Sequence, residues 1–190
     1  MTQTFLPTDA LDGGIESMFP SAAITRTATA TNGTSTLTFS VPDAATILVG
    51  MTVTGAGITS GGAVSAVNNA TGVVTLTGTI TTLTASAYVF TLTLQGTLHT
   101  ASPGFTGANE VTGGSYAEQP ATFGAPSAGS KATTNAQNWT SMPAVTCTHF
   151  GFKTPNGTWR GGGPLTSSLT VPAGATVAAA IGALTLGQSG

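Results

Sequence analysis

Short segments in which polar and apolar residues alternate recur from residue 27 to the end of the chain. Clear examples are TLTFSV at 36–41, MTVT at 51–54 and VTCTHFGF at 145–152. Turns rich in Gly, Pro and Asn separate these segments about every 8–12 residues, which is typical of a small β-sandwich or barrel. No segment after residue 26 shows helical periodicity of useful length. The sequence therefore predicts an all-β protein with a β-sandwich or jelly-roll-like core.

The sequence divides into three parts. Residues 1–26 form an N-terminal arm or short helix, residues 27–94 a small inserted β domain, and residues 95–190 the β-sandwich core domain. In the first part, apolar residues recur at helical spacing and need a surface to pack against. We therefore predict that the arm makes assembly contacts, either with capsid or with a neighbouring copy, through these residues: Leu11, Ile15, Met18 and Phe19.

The low charge of the chain limits what it can bind. Only 5% of the residues are charged, and the net charge is −2. Nucleic-acid binding requires clustered Lys and Arg, and the four basic residues are too few and too scattered. A nearly uncharged surface is also poorly protected against association. We therefore expect much of the surface to be covered by partner subunits, copies of the chain among them.

The targeting signals of the chain are equally limited. The single cysteine, Cys147, rules out an intrachain disulfide. Residues 1–23 lack the basic and apolar regions of a signal peptide. The longest apolar stretch, at 177–184, is too short to span a bilayer. We expect a protein that is made in a cytoplasm, is not exported by the usual route and binds no membrane.

Few side chains are suited to catalysis or metal binding. Cys147 and His149 lie on one strand without a nearby acidic partner, and a small buried thiol accounts for the cysteine better than a nucleophile does. His99 fits a hydrogen-bonded strand histidine. We predict no catalytic, cofactor or metal site, and therefore a protein that is not an enzyme. Trp139 and Trp159 are candidate surface or interface aromatics, as glycan platforms or, more typically, as core or interface anchors.

The second block carries a recognisable series of motifs. LHTASPG at 98–104, TGANEVTGGSY at 106–116, TFG at 122–124, THFG at 148–151 and GGGPL at 161–165 occur in order. They resemble the LHTADPG…GANEV.GGSYAR…TFG and VTHFGIW…GGPLT pattern of a widespread family of tailed-phage virion proteins, often labelled tail-fibre-like. This sequence departs from that pattern at Ser102, where Asp is usual, at Glu118, where a basic residue is common, and at Lys153, where an aromatic residue is usual.

The first block resembles a different module. VGMTVTGAGI at 49–58 is similar to a VGMTVTG-type segment found in phage and bacterial surface proteins. Its position between the arm and the LHTASPG motif indicates an insertion. Because insertions are tolerated in exposed loops, we expect this module to project outward and to be dispensable for assembly.

The resemblance implies a structural protein of the virion, with several alternative roles. The first is a capsid decoration (cement) protein that binds the major capsid protein on the head surface. The absence of repeats and heptads favours this role over a long fibre. The alternative is a tail or tail-fibre component with structural or adhesive function, and a second alternative is a carbohydrate-binding module that recognises a host-surface glycan. A trimer fits the lattice symmetry of heads and the symmetry of fibres.

Overall fold

The computed structural model describes residues 15–30, 32–58, 62–81 and 85–187, and it confirms the predicted all-β fold class. These residues form two compact units. Ser17–Thr93 form the first, which we call the barrel unit. Residues 15–16 and 94–187 form the second, which we call the sheet unit. The described residues contain no helix long and apolar enough to cross a membrane.

The barrel unit is one antiparallel sheet that closes on itself. Its strands are β1 (Ile24–Ala30), β2 (Thr36–Thr38), β3 (Thr52–Gly55), β4 (Val64–Asn68), β5 (Val73–Leu76) and β6 (Ser86–Thr91). They are joined in the order β3-β6-β1-β2-β5-β4. The two outer strands meet through a bridge between Thr52 and Ala63, and Val53 N donates to Gly62 O at 2.9 Å. This contact closes the ring.

The core of the barrel unit follows from the alternation in its sequence. Successive side chains of a strand point to opposite faces, so the apolar partner of each Thr–apolar pair turns inward. Leu37, Val74 and Phe90 are fully buried in this way. Strand β1 begins at Ile24, so residues 24–26, which the sequence analysis assigned to the arm, belong to the barrel. Small Ala residues fill the inward positions of β1, which weakens its apolar pattern.

A four-residue helix, Val41–Ala44, comes shortly after β2 in the chain. Ser40 caps it, since the Ser40 Oγ accepts from Asp43 N at 3.3 Å and donates to Asp43 Oδ2 at 2.7 Å. Pro42 occupies an early helical position, where a missing N–H costs nothing. Pro42 and Asp43 therefore help to start this helix.

The sheet unit contains the remaining described strands. They are β7 (Leu94–His99), β8 (Gln119–Ala121), β9 (Ser130–Ala132), β10 (Gln137–Trp139), β11 (Val145–Lys153), β12 (Trp159–Val171), β13 (Val177–Ala179) and β14 (Thr185–Gly187). Four of them form a sheet in the order β12-β11-β7-β8. The other four form two antiparallel pairs, β10 with β13 and β9 with β14.

One face of the four-stranded sheet forms the core of this unit. Leu98 is paired with Phe150, and Gly96 with Phe152, so all four lie on the same face. Trp139 packs over Gly96, where an added Cβ would lie 3.4 Å from Trp139 Cζ2. The indole Nε1 of Trp139 donates to Gly96 O at 3.1 Å. Gly96 thus provides the hydrogen-bond acceptor for the largest core side chain.

Candidate recognition surface

The opposite face of the same sheet is polar, and it supports the loops that follow β7. His99 is paired with His149, Thr97 with Gly151, and Gln95 with Lys153. Residues 100–118, which contain most of the motif series, lie against this face through the contacts below. We call residues 100–118 the recognition segment. Its local structure depends on three side chains of the sheet: His99, Trp159 and Lys153.

His99 anchors the first part of the recognition segment. It is fully buried, and its Nδ1 lies 2.8 Å from Ala108 O while its Nε2 lies 2.9 Å from Thr97 Oγ1. Because a carbonyl only accepts, Nδ1 carries the proton and Nε2 accepts from the Thr97 hydroxyl in the neutral ring. Burial lowers the pKa of His99, against the opposing effects of the Ala108 hydrogen bond and of Glu110. A neutral His99 therefore holds the loop.

Trp159 packs between the sheet and the loop. Its ring makes an edge contact with His99, with centroids 5.3 Å apart. It also lies against two glycines: an added Cβ at Gly107 would be 2.6 Å from Trp159 Cε3, and one at Gly151 would be 2.5 Å from Trp159 Cζ3. The indole therefore occupies space that any side chain at either position would take. The motif glycines at 107 and 151 are explained by one aromatic ring.

The loop between β7 and Glu110 is rigidly built. Ala108 N donates to Pro103 O at 3.0 Å, and the Asn109 side-chain amide donates to Ser102 O at 2.9 Å. Gly104 and Asn109 adopt left-handed φ values of 58° and 60°, which Gly and Asn tolerate better than other residues. These contacts fix the turn that carries Phe105.

Phe105 lies at the tip of this turn and is 100% exposed. An isolated exposed apolar residue is ordinary on a protein surface, but few large aromatic side chains are left fully in water. A rigid loop that presents one exposed aromatic ring loses little entropy on binding, which is a property of recognition loops. Phe105 is therefore the main candidate contact residue of this surface.

An open groove of about 550 Å³ lies beside the second part of the recognition segment. Lys153 lies in it between two carboxylates, with Nζ 2.7 Å from Glu110 Oε2 and 2.7 Å from Glu118 Oε1. Burial alone would lower the pKa of Lys153, but the hydrogen bonds and charges of the two glutamates raise it. The Tyr116 hydroxyl accepts from Leu98 N at 2.9 Å, and burial raises its pKa above the ordinary value. The groove is thus lined by a hydrogen-bonded cluster of one lysine and two glutamates, which has one more negative than positive charge.

Two residues of that cluster, Glu118 and Lys153, are positions at which the sequence analysis noted a departure from the pattern that this chain resembles. The structure brings these positions together. The sequence analysis treated them as separate changes, because their spatial relation is set by the return of the 100–118 segment to β11.

The structure places the predicted arm contacts in different environments. Leu11 lies outside the described residues. Residues 15–18 are helical, and in this turn Ile15 and Phe19 are buried, at 1% and 6% exposure, while Met18 is 42% exposed. Ile15 and Phe19 are buried in the folded chain, which leaves Met18 as the exposed apolar side chain among the described three.

An ion pair joins Glu16 to β9 within the sheet unit. Glu16 Oε2 lies 2.6 Å from the Nζ of Lys131, whose side chain is fully buried in β9. Burying a lysine is costly unless a charged partner accompanies it. The arm is therefore attached to its own chain at this point, a contact that the sequence analysis did not anticipate.

The two predicted aromatic sites also differ. Trp139 is fully buried in the sheet core, so it is a core anchor. Trp159 is partly exposed, with its ring against Gly107 and Gly151. Cys147 is buried, and burial raises the pKa of its thiol. Within the described residues, no group of three or more His, Cys, Asp or Glu is arranged to hold a metal ion.

A comparison with known protein families matches residues 65–187 to the family described as Podophage GP4 fiber I protein gp80. The match spans well over half of the chain and includes the whole recognition segment. The chain belongs to this family. No curated protein and no solved structure gives a match.

Membership in the podophage fibre family makes the protein a structural protein of the bacteriophage particle, and so places it in the virion. The matched range begins at residue 65, inside β4 of the barrel unit. It therefore includes part of the block that the sequence analysis treated as an insertion, together with the sheet unit.

Proposed function

We propose that the protein is a non-enzymatic structural component of a podophage tail fibre. The observation that supports this most is the match of residues 65–187 to a podophage fibre family. The sequence analysis ranked capsid decoration first because repeats and heptads are missing. The family match favours the fibre alternative over decoration of the head.

The titratable groups of the recognition surface support a structural role. Neutral His99 is occupied on both ring nitrogens, and Lys153 is paired with two glutamates. The Cys147 thiol is buried with a raised pKa, which makes it a poor nucleophile at neutral pH. Each group stabilises a loop or a strand, and catalysis would require groups held close to a substrate.

The basic residues support partners other than nucleic acid. Lys131 and Lys153 form buried or partly buried ion pairs, and Arg26 NεH pairs with Asp43 at 3.0 Å. Such side chains are not arranged as a phosphate-binding patch. We propose instead that the partners are copies of the chain and other fibre or tail subunits. The glycan alternative depended on Trp139 or Trp159. Trp139 is fully buried, and the partly exposed ring of Trp159 packs against His99, Gly107 and Gly151, so neither residue favours a glycan site.

Particles assembled without this protein provide the test. If it is a fibre component, heads should fill with genome and keep their thermal stability, while adsorption to host cells should fall by orders of magnitude. Supplying the protein in trans should restore adsorption. If the particles instead adsorb normally and their heads rupture at lower temperature, the protein decorates the capsid and the proposal is wrong.

A further inference from the structure

The ring of Phe105 is not buried against any described part of its own sheet unit. The ring is 100% exposed, although the loop around it is held by His99, Trp159 and its own hydrogen bonds. An aromatic side chain fixed in this position gains most of its burial energy only on contact with another molecule.

The sheet unit also has an open apolar groove of about 230 Å³. Leu98 and Trp139 line it, both almost completely buried, together with side chains from β12 and β13. Leu165 and Leu169 line it from β12, and Leu169 is 42% exposed at its edge. β12 is an outer strand of the four-stranded sheet, so its outer edge is not paired with another strand of that sheet among the described residues.

The loop and the groove lie on opposite faces of the same sheet. Neighbouring residues of a strand point to opposite faces, so Leu98 faces the groove while His99 faces the loop. The ring of Phe105 therefore does not reach the groove of its own chain. The two features can meet only between different molecules.

We propose that Phe105 of one copy inserts into this groove on a second copy. An apolar cavity of roughly 150 Å³ is known to bind benzene, so a groove of about 230 Å³ has room for a phenyl ring. Charge supports a second copy as the occupant, because neither residues 100–109 nor residues 161–187 contain a charged side chain. A contact between these two neutral surfaces buries no unpaired charge. This inference rests on the proposed role as an assembling fibre subunit and names the surfaces through which copies assemble.

The test measures self-association of the full chain by sedimentation equilibrium. Phe105→Ala removes the inserted ring, and Leu169→Asp places a carboxylate at the edge of the groove. Both positions are exposed, so both variants should fold. Each should weaken self-association by at least roughly 30-fold, the effect of losing a buried interface anchor. Ile181→Ala, at another exposed apolar residue, is the matched control and should associate like the wild type.

A mixture of the two variants distinguishes loss of this specific contact from a general loss of self-association. The Leu169→Asp chain keeps its Phe105, and the Phe105→Ala chain keeps its groove, so one contact remains between them. An equimolar mixture should form a heterodimer although each variant alone is monomeric. A wild-type chain that stays monomeric, variants that associate like the wild type, or a mixture that forms no complex would each overturn the inference. Any of these results leaves the fibre role intact if particles lacking the protein still fail to adsorb.

Discussion

Replacing Gly151 with Ala tests whether Trp159 organises the recognition surface. An added Cβ would lie 2.5 Å from Trp159 Cζ3 and 3.0 Å from His99 Nε2, both too close for an ordinary contact. The ring or the strand must move, and overpacking of this kind costs about 1–3 kcal/mol. For a chain of this length, each kcal/mol lowers the unfolding midpoint by about 2–4 °C. Thermal denaturation measures that shift.

A matched glycine on the neighbouring strand provides the control. An added Cβ at Gly163 would lie 3.6 Å from Phe150 Cε1, which is an ordinary van der Waals contact. Gly163→Ala should therefore change the midpoint by less than half as much.

Displacement of Trp159 should also speed thermolysin cleavage at Phe105 in Gly151→Ala and not in Gly163→Ala. In a Trp159→Leu background, Gly151→Ala should cost less, because the clashing ring is gone. Equal midpoints and equal cleavage rates for the two Ala variants would refute the role given to Trp159.

Three further predictions concern the ionisable groups. Glu118→Arg should lower the free energy of unfolding by about 1–3 kcal/mol, because Lys153 loses one partner and gains a like charge. Adding Lys153→Trp should recover most of the loss through a cation–π contact between the new Arg and Trp side chains. Urea denaturation measures both changes, and a double variant that recovers no stability would contradict the pairing. Because burial lowers the pKa of His99, the unfolded chain takes up a proton near pH 6.5, before the folded chain does. The free energy of unfolding should therefore fall between pH 7 and pH 5 by up to about 1.4 kcal/mol per pH unit more than it does in His99→Gln. Parallel pH profiles for the two proteins would count against a neutral buried His99. Glu16→Gln should cost about 1–3 kcal/mol, since the buried Lys131 loses its charged partner, and an unchanged midpoint in urea would show that this pair is not stabilising.

The fold class could be predicted from the sequence because alternation and turn chemistry act locally. Thr–apolar alternation places Leu37 and Phe90 inside the barrel unit whatever the rest of the chain does. The pairing order of strands is a long-range property, and the closure through Thr52 and Ala63 has no local signal. The start of β1 at Ile24 was missed because the charged Arg26 and the small Ala28 and Ala30 occupy its inward positions, which leaves little apolar pattern.

The recognition surface shows a similar division. The motif series pointed to residues 98–116 as a conspicuous segment. Nothing in the sequence showed that Gly107 and Gly151 contact the same ring, because these residues are brought together by the loop folding back on β11. The exposure of Phe105 was equally hidden, since an apolar residue in a loop is as often buried as exposed.

The relation between Glu118 and Lys153 carries a general lesson. At each position the residue differs from the one that is usual in the pattern this chain resembles. Considered separately, each departure would weaken an inferred contact. In this structure the two side chains form one attractive pair, with Lys153 Nζ 2.7 Å from Glu118 Oε1. When the fold brings two such departures into contact, their effect on a shared contact is therefore better judged for the pair than for each residue separately.

The most direct test of the fibre assignment is the position and copy number of the protein in purified particles. Gold-labelled antibody and electron microscopy locate it, and mass spectrometry against labelled peptides counts it. The account predicts labelling at the tail, with a small copy number set by the symmetry of a fibre. Labelling spread over the head, with a copy number that matches the capsid lattice, would contradict it.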